Sequence, residues 1–151
     1  DFIIDEYQIY LAKYFGADCV LLILRILSDS QFLHLLKLAR SLNLEVLIEV
    51  HNKKEIQRLS DILQDSRGLF IGINSRDIDT LSINYEGIFN LLSFAKNIKI
   101  PIIAESGVKD ANKLRQLYQS GASGALIGEY LLRSKSPGGA VKKLLKEMNY
   151  G

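Results

Sequence analysis

The sequence predicts an α/β fold of repeated βα units, a partial (β/α)8 TIM barrel with about five units and the first three missing. Three observations predict it. Five short apolar runs, at 19–26, 45–50, 69–73, 100–104 and 125–127, start 24 to 31 residues apart, the period of a strand plus a helix. The runs are apolar on successive residues, as in Val20-Leu21-Leu22-Ile23-Leu24, which marks strands covered on both faces, as in a parallel sheet. Polar residues gather where four successive runs end: Glu49, Asn74 with Arg76, Glu105 with Ser106, and Gly128 with Glu129. That clustering favours a barrel over a doubly wound sheet, because barrel enzymes build their sites at the C-terminal ends of the strands.

Each element has its own warrant. Phe2-Ile3-Ile4 reads as the end of a strand, and an opening at Asp1 without Met leads us to expect a piece of a longer polypeptide. Gly16 sits where the first helix should end. Ser28-Asp29-Ser30 can cap a helix whose apolar positions Phe32, Leu35, Leu36, Leu38, Ala39 and Leu42 follow helical spacing. Asn43 and Gly121 occupy the same stop position before later strands. Lys53-Lys54-Glu55 reads as the first turn of a solvated helix, and Asn74-Ser75-Arg76-Asp77 has a turn-forming composition. Leu114, Leu117 and Tyr118 outline another helix, and Lys142-Lys143-Leu144-Leu145-Lys146 the solvated face of a last one.

Composition narrows the function classes. A chain of 151 residues has room for one domain, taken here as 1–151, and for a real core. With 48% hydrophobic and 24% charged residues and a net charge of +2, neither disorder nor a nucleic-acid partner is expected. Cys19 is the single cysteine and His34 and His51 the two histidines, too sparse a set for a structural metal site; His34 reads as helix surface. No apolar run reaches the roughly 20 residues a membrane helix needs. A cytoplasmic protein with no membrane partner is the expectation.

The strand ends carry the chemistry. Alternation along each strand places Glu49 with Leu47, Asn74 with Gly72, and Glu105 with Ile103. A barrel would aim these inward, giving two carboxylates, an amide and the Arg76 guanidinium for acid-base work on a substrate bearing a carboxylate or phosphate. A glutamate between Ile48 and Val50 needs a reason, since buried charge is costly. Asn74 and Arg76 could equally serve the turn they sit in. Gly107 and Gly128 are either ordinary loop glycines or a phosphate cradle closing two neighbouring strands, with Ser106 beside one of them.

At these residues the sequence resembles the indole-3-glycerol phosphate synthase family. The resemblance rests on Asp1-Phe2-Ile3-Ile4-Asp5 with Tyr7-Gln8-Ile9, Gly16-Ala17-Asp18, Val20-Leu21-Leu22-Ile23, Leu44-Glu45-Val46-Leu47-Ile48-Glu49-Val50-His51, Gly72-Ile73-Asn74-Ser75-Arg76-Asp77, Ala104-Glu105-Ser106-Gly107 and Leu126-Ile127-Gly128-Glu129. It runs in the family's order from the third barrel strand onward. It implies closure of a carboxyphenylamino-deoxyribulose 5-phosphate into an indole ring with loss of carbon dioxide and water, without cofactor or metal. It also implies catalytic roles for Glu49, Asn74, Glu105 and Ser106, and substrate binding by Arg76, Gly107, Gly128 and Glu129. Glu49 would transfer a proton or stabilise charge, Asn74 would orient the substrate, and Arg76 would meet its carboxylate. Glu105 and Ser106 would face ring and sugar, and the glycine turns with the Glu129 backbone would hold phosphate, the Glu129 side chain pointing away.

One departure matters. The family's catalytic lysine directly precedes the Asp-Phe pair, and a Glu and Lys lie on its first strand; here the chain opens at Asp1. The resemblance therefore implies a parent synthase and an isolated 151-residue piece that is inactive or nearly so. Two alternatives compete: another phosphate-binding barrel, such as phosphoribosylanthranilate isomerase or the tryptophan synthase α chain, or a non-catalytic phosphate-binding fragment. Expected partners are a small phosphorylated substrate and, through open sheet edges, the N-terminal barrel segment or a second copy.

Overall fold

Helix α1 (Glu6–Tyr14) begins where Asp5 accepts the Tyr7 N–H at 2.8 Å and Gln8 accepts the Asp5 N–H in return, a reciprocal cap. The computed structural model describes residues 2–74, 76 and 85–149; Asp1, and Ser75 and Asp77 of the expected turn, lie outside these. Strand β1 (Cys19–Ile23) runs into a 3-10 turn, Leu24–Ile26. Ser28 then caps α2 (Asp29–Ser41), with Gln31 closing the box. There follow β2 (Glu45–Val50), α3 (Lys53–Ile62), β3 (Leu69–Asn74), α4 (Tyr85–Ala95), β4 (Ile102–Glu105), α5 (Ala111–Gln119), β5 (Gly124–Leu126), α6 (Glu129–Leu132) and α7 (Pro137–Asn149).

The result is an α/β fold with a five-stranded sheet in the order β1-β2-β3-β4-β5. Cys19 to Ile23 pair in parallel with Glu45 to Glu49, and Ile103 to Glu105 with Gly124 to Leu126. This is what a partial TIM barrel requires. Three helices end as the sequence indicates: Gly16, Asn43 and Gly121 follow α1, α2 and α5 with φ of 82°, 54° and 107°, the left-handed conformation that lets the chain reverse.

Some boundaries differ. The run 19–26 is not all strand, because its last three residues turn into the 3-10 segment, whose flanking carbonyls are claimed by Arg58 on α3 (Leu24 O at 2.8 Å, Leu27 O at 2.7 Å). The run 100–104 starts its strand two residues late, after Pro101, which has no N–H to give a ladder. On α2, Phe32, Leu35, Leu36 and Ala39 are buried while Leu38 and Leu42 are only half-buried. On α5, Leu117 is buried and Tyr118 is exposed.

The chain divides into two compact units, one built from the residues up to Gly72 with Asn97–Pro101, the other from Ile73–Lys96 and from Ile102 onward. In the first, Leu22, Ile48, Ile71, Phe32, Ile56 and Leu59 are fully buried between strands and helices, each contributing about 1.5–3 kcal/mol relative to exposure. Pro101, in the same unit, accepts the Ile71 N–H through its carbonyl at 3.0 Å. In the second, Ile88, Leu92 and Ala95 of α4, Ala104 of β4, Leu117 of α5 and Leu144 of α7 form the core. The lysines of α7 are exposed around Leu144, as the sequence indicates. His34 lies exposed on α2, 2.6 Å from Glu6 of α1.

Candidate active site

In the first unit, β2 ends with Ile48, Glu49 and Val50 all buried. Glu49, only 6% exposed, is therefore a charge inside the fold, and the structure shows what it meets. Its Oε1 lies 3.1 Å from His51 Nε2, and on the far side of the ring Nδ1 lies 3.4 Å from Glu55 Oε2. Glu55 is fixed at the start of α3. It accepts the His51 backbone N–H at 2.7 Å and the Asn52 amide, while Asn52 Oδ1 caps the Glu55 N–H at 3.0 Å. Lys53-Lys54-Glu55 is thus not a wholly solvated turn: Glu55 is buried.

Burial alone would pull the His51 imidazole below its ordinary value, but Glu49 and Glu55 beside it outweigh this and push it up to about 9. Burial likewise opposes the charge on Glu55, and the His51 ring and backbone N–H overcome it, holding the carboxyl below the usual carboxylate range. At neutral pH the cluster is an imidazolium between two carboxylates.

The other seven candidates lie in the second unit. Asn74 ends β3, and its Oδ1 accepts both the Arg76 N–H at 2.9 Å and the Ser106 hydroxyl at 3.0 Å. One amide thereby ties the exit of β3 to that of β4. Asn74 and Arg76 do form a local turn contact, as the sequence allows, and the same oxygen also holds Ser106. Glu105, the last residue of β4, is 4% exposed. Directly after it, Ser106 and Gly107 have φ of 65° and 78°. Two successive left-handed residues bend the chain sharply, and for Ser106 this conformation carries a cost that the bond to Asn74 offsets.

Ser106 and Gly107 open a cavity of about 470 Å3, lined also by Arg76, Lys109, Gly128 and Arg133. Glu129 stands on its wall, with Oε1 2.9 Å from Arg133 and Oε2 3.9 Å from Arg76. Among the described residues its lining brings Arg76, Lys109 and Arg133 together with the Glu129 carboxylate, and two glycine turns expose backbone to it, a combination suited to an anion. Gly128 has φ of −101°, and a Cβ there would meet no atom within 4 Å. Nothing in the protein's own packing requires glycine at that point.

Four residues of these clusters are not evident from sequence. His51 and Glu55 are linked only by the Asn52-to-Glu55 capping spacing, which could have flagged Glu55 as held rather than solvated. Lys109 and Arg133 follow the two glycine turns by two and five residues, but long side chains there carry no directional signal. Among the described residues no group of three or more His, Cys, Asp or Glu could hold a metal ion, and no helix is long and apolar enough to cross a membrane.

Comparison with known proteins places the chain. The indole-3-glycerol phosphate synthase family profile matches residues 1–144. The indole-3-glycerol phosphate synthases of Carboxydothermus hydrogenoformans and Prochlorococcus marinus are 37% and 41% identical, matching 96% and 98% of this chain and 53% and 50% of their own length. The tryptophan biosynthesis protein TrpCF of Buchnera aphidicola is 43% identical over 96% of this chain and 30% of its own. The chain thus spans about half the length of the two synthases and less of the third protein. Among solved structures, the Amycolatopsis orientalis BexX/CysO complex (TM-score 0.61, 16% identity, 93% of this chain and 58% of that one) has a similar fold. So does a mandelate oxidase mutant with an FMN adduct (TM-score 0.63, 12% identity, 98% and 54%). With the profile covering nearly its whole length, the chain belongs to the indole-3-glycerol phosphate synthase family.

Proposed function

We propose that the protein carrying this chain is the indole-3-glycerol phosphate synthase of tryptophan biosynthesis, a lyase that converts 1-(2-carboxyphenylamino)-1-deoxyribulose 5-phosphate to indole-3-glycerol phosphate with loss of carbon dioxide and water. The observation that carries the reading is the cavity of the second unit, entered by the Ser106-Gly107 turn and lined by Gly128 and by the cationic side chains of Arg76, Lys109 and Arg133. Its backbone amides and cations suit the substrate's phosphate, and the open space beside Gly128 leaves room for close approach. Arg76 offers a planar fork to the anthranilate carboxylate. Pairing with Arg133 compensates the Glu129 carboxylate, so that the charge does not repel a phosphate held by the turn.

The chemistry requires an acid at the sugar carbonyl as the ring carbon attacks it, release of the carboxyl group, and acid-base help in the dehydration. Glu49 serves as a proton-transfer or charge-stabilising group, Asn74 orients the substrate, and Glu105 and Ser106 face ring and sugar. The family's lysine acids are not among these residues. The 151-residue chain alone is therefore inactive or nearly so, and the terminal strands β1 and β5 are the edges on which a complementary segment or a second copy would pair. The test is indole fluorescence: substrate mixed with the full-length polypeptide develops product signal, whereas the 151-residue chain at high concentration does not. A full-length protein without synthase activity would overturn the reading, and a native-like rate from the short chain would overturn its inactivity.

A further inference from the structure

We propose that His51 is a positioning residue for the synthase reaction: held between Glu49 and Glu55, it fixes the direction and the charge of the Glu49 carboxylate. The inference rests on the role assigned to Glu49 above. Three observations carry it. The two ring nitrogens face carboxylates on opposite sides, at 3.1 Å and 3.4 Å. A neutral imidazole has one N–H and could serve only one of them, whereas the doubly protonated ring has a proton for each. Neither contact has full hydrogen-bond alignment, and in both a ring nitrogen faces a carboxylate oxygen at ion-pair distance.

The anchor lies at the Glu55 end. Glu55 is fastened by the His51 N–H and the Asn52 side chain at the first turn of α3, where the helix end favours a negative charge. A ring tethered there presents its other nitrogen to Glu49. All three side chains are at most 10% exposed, so water does not screen the attraction as it would at the surface. The charged groups acting on His51 are Glu49 from β2 and Glu55 from α3. Arg58, also on α3, is directed instead to Asp29 and to the carbonyls of Leu24 and Leu27. Among the described residues of the adjoining strands, Leu22 and Ile23 close β1, and β3 has no titratable side chain. Without the imidazolium, Glu49 would lose the charge that its Oε1 meets at 3.1 Å, which favours its turning away or taking up a proton.

The test uses the full-length polypeptide and the variants His51→Gln and Glu55→Gln, with kcat, KM and the pH profile of kcat measured for each. H51Q is expected to lower kcat about tenfold or more while KM stays within about threefold, and to move the acidic limb of the profile up by about one pH unit. E55Q keeps the acceptor for the His51 N–H but loses the anchoring charge, and is expected to fall between wild type and H51Q, so a folding defect in H51Q alone does not decide the matter. Wild-type kinetics with an unmoved acidic limb in both variants would overturn the inference and leave the synthase reading intact. An inactive wild type would overturn the synthase reading, and this inference with it. An NMR titration of the His51 ring separates the two failures physically: in Glu49→Gln the ring is expected to titrate below its wild-type value, and an unchanged titration would overturn the ion pairing.

Discussion

The buried imidazolium makes stability depend on pH in a direction that can be worked out. His51 titrates near 6.5 in an unfolded chain and at about 9 in the folded one. At about 1.4 kcal/mol per pH unit, that difference makes the protonated ring worth on the order of 3 kcal/mol to folding. The folded value is the higher one, so the contribution is complete below pH 6.5, declines as pH rises between 6.5 and 9, and is gone above that. The perturbation is H51Q, which removes the titrating group and keeps a side chain of similar reach. The assay is urea unfolding of wild type and variant at several pH values from 6 to 10, compared at fixed slope. The wild-type curve should lose about 3 kcal/mol more than the variant across this range. Superimposable pH dependences would mean instead that the ring is neutral in the fold or that its partners do not hold the charge.

Four further outcomes are expected. Glu55 contributes stability above its ordinary value near 4.5, lost as pH falls through its lowered folded value; Glu55→Gln should flatten the acid side of the wild-type stability curve. Gly107→Ala forces a Cβ into a backbone with φ of 78°, which should cost about 1–2 kcal/mol of stability and raise KM in the full-length enzyme. Arg76→Lys keeps the charge but loses the fork, and should raise KM for the carboxylated substrate about tenfold with little change in melting temperature. Phe32→Ala empties a fully buried site on α2 and should lower unfolding free energy by about 3–5 kcal/mol in urea titrations.

The strands were legible because their residues are apolar on both faces, a pattern that little besides a buried parallel strand requires. Three helix stops were legible because Gly16, Asn43 and Gly121 are the residue types that tolerate the positive φ observed there. Exact edges were not. Continuous apolar runs do not say where a strand yields to a turn, and at Leu24–Ile26 that choice is made by Arg58, some thirty residues away in the chain. The acidic residues at the strand ends stood out because charge is rare beside Ile48 and Val50. The role of His51 did not, because Glu49 and Glu55, two residues before it and four after, converge on its ring only through the turn from β2 into α3. Glu55 was misread for a related reason: adjacent lysines suggest solvent, whereas the Asn52 cap and the His51 backbone turn the carboxylate inward. Lys109 and Arg133 join the cavity through side-chain directions that only the folded turns define.

The most direct test of the central claim is a single-turnover measurement of indole-3-glycerol phosphate fluorescence with the full-length polypeptide, wild type against Glu49→Gln. Product is expected from the wild type and a rate lowered by about a hundredfold or more in the variant, at nearly unchanged substrate affinity. Equal rates in the two proteins, or no product from the wild type, would contradict it.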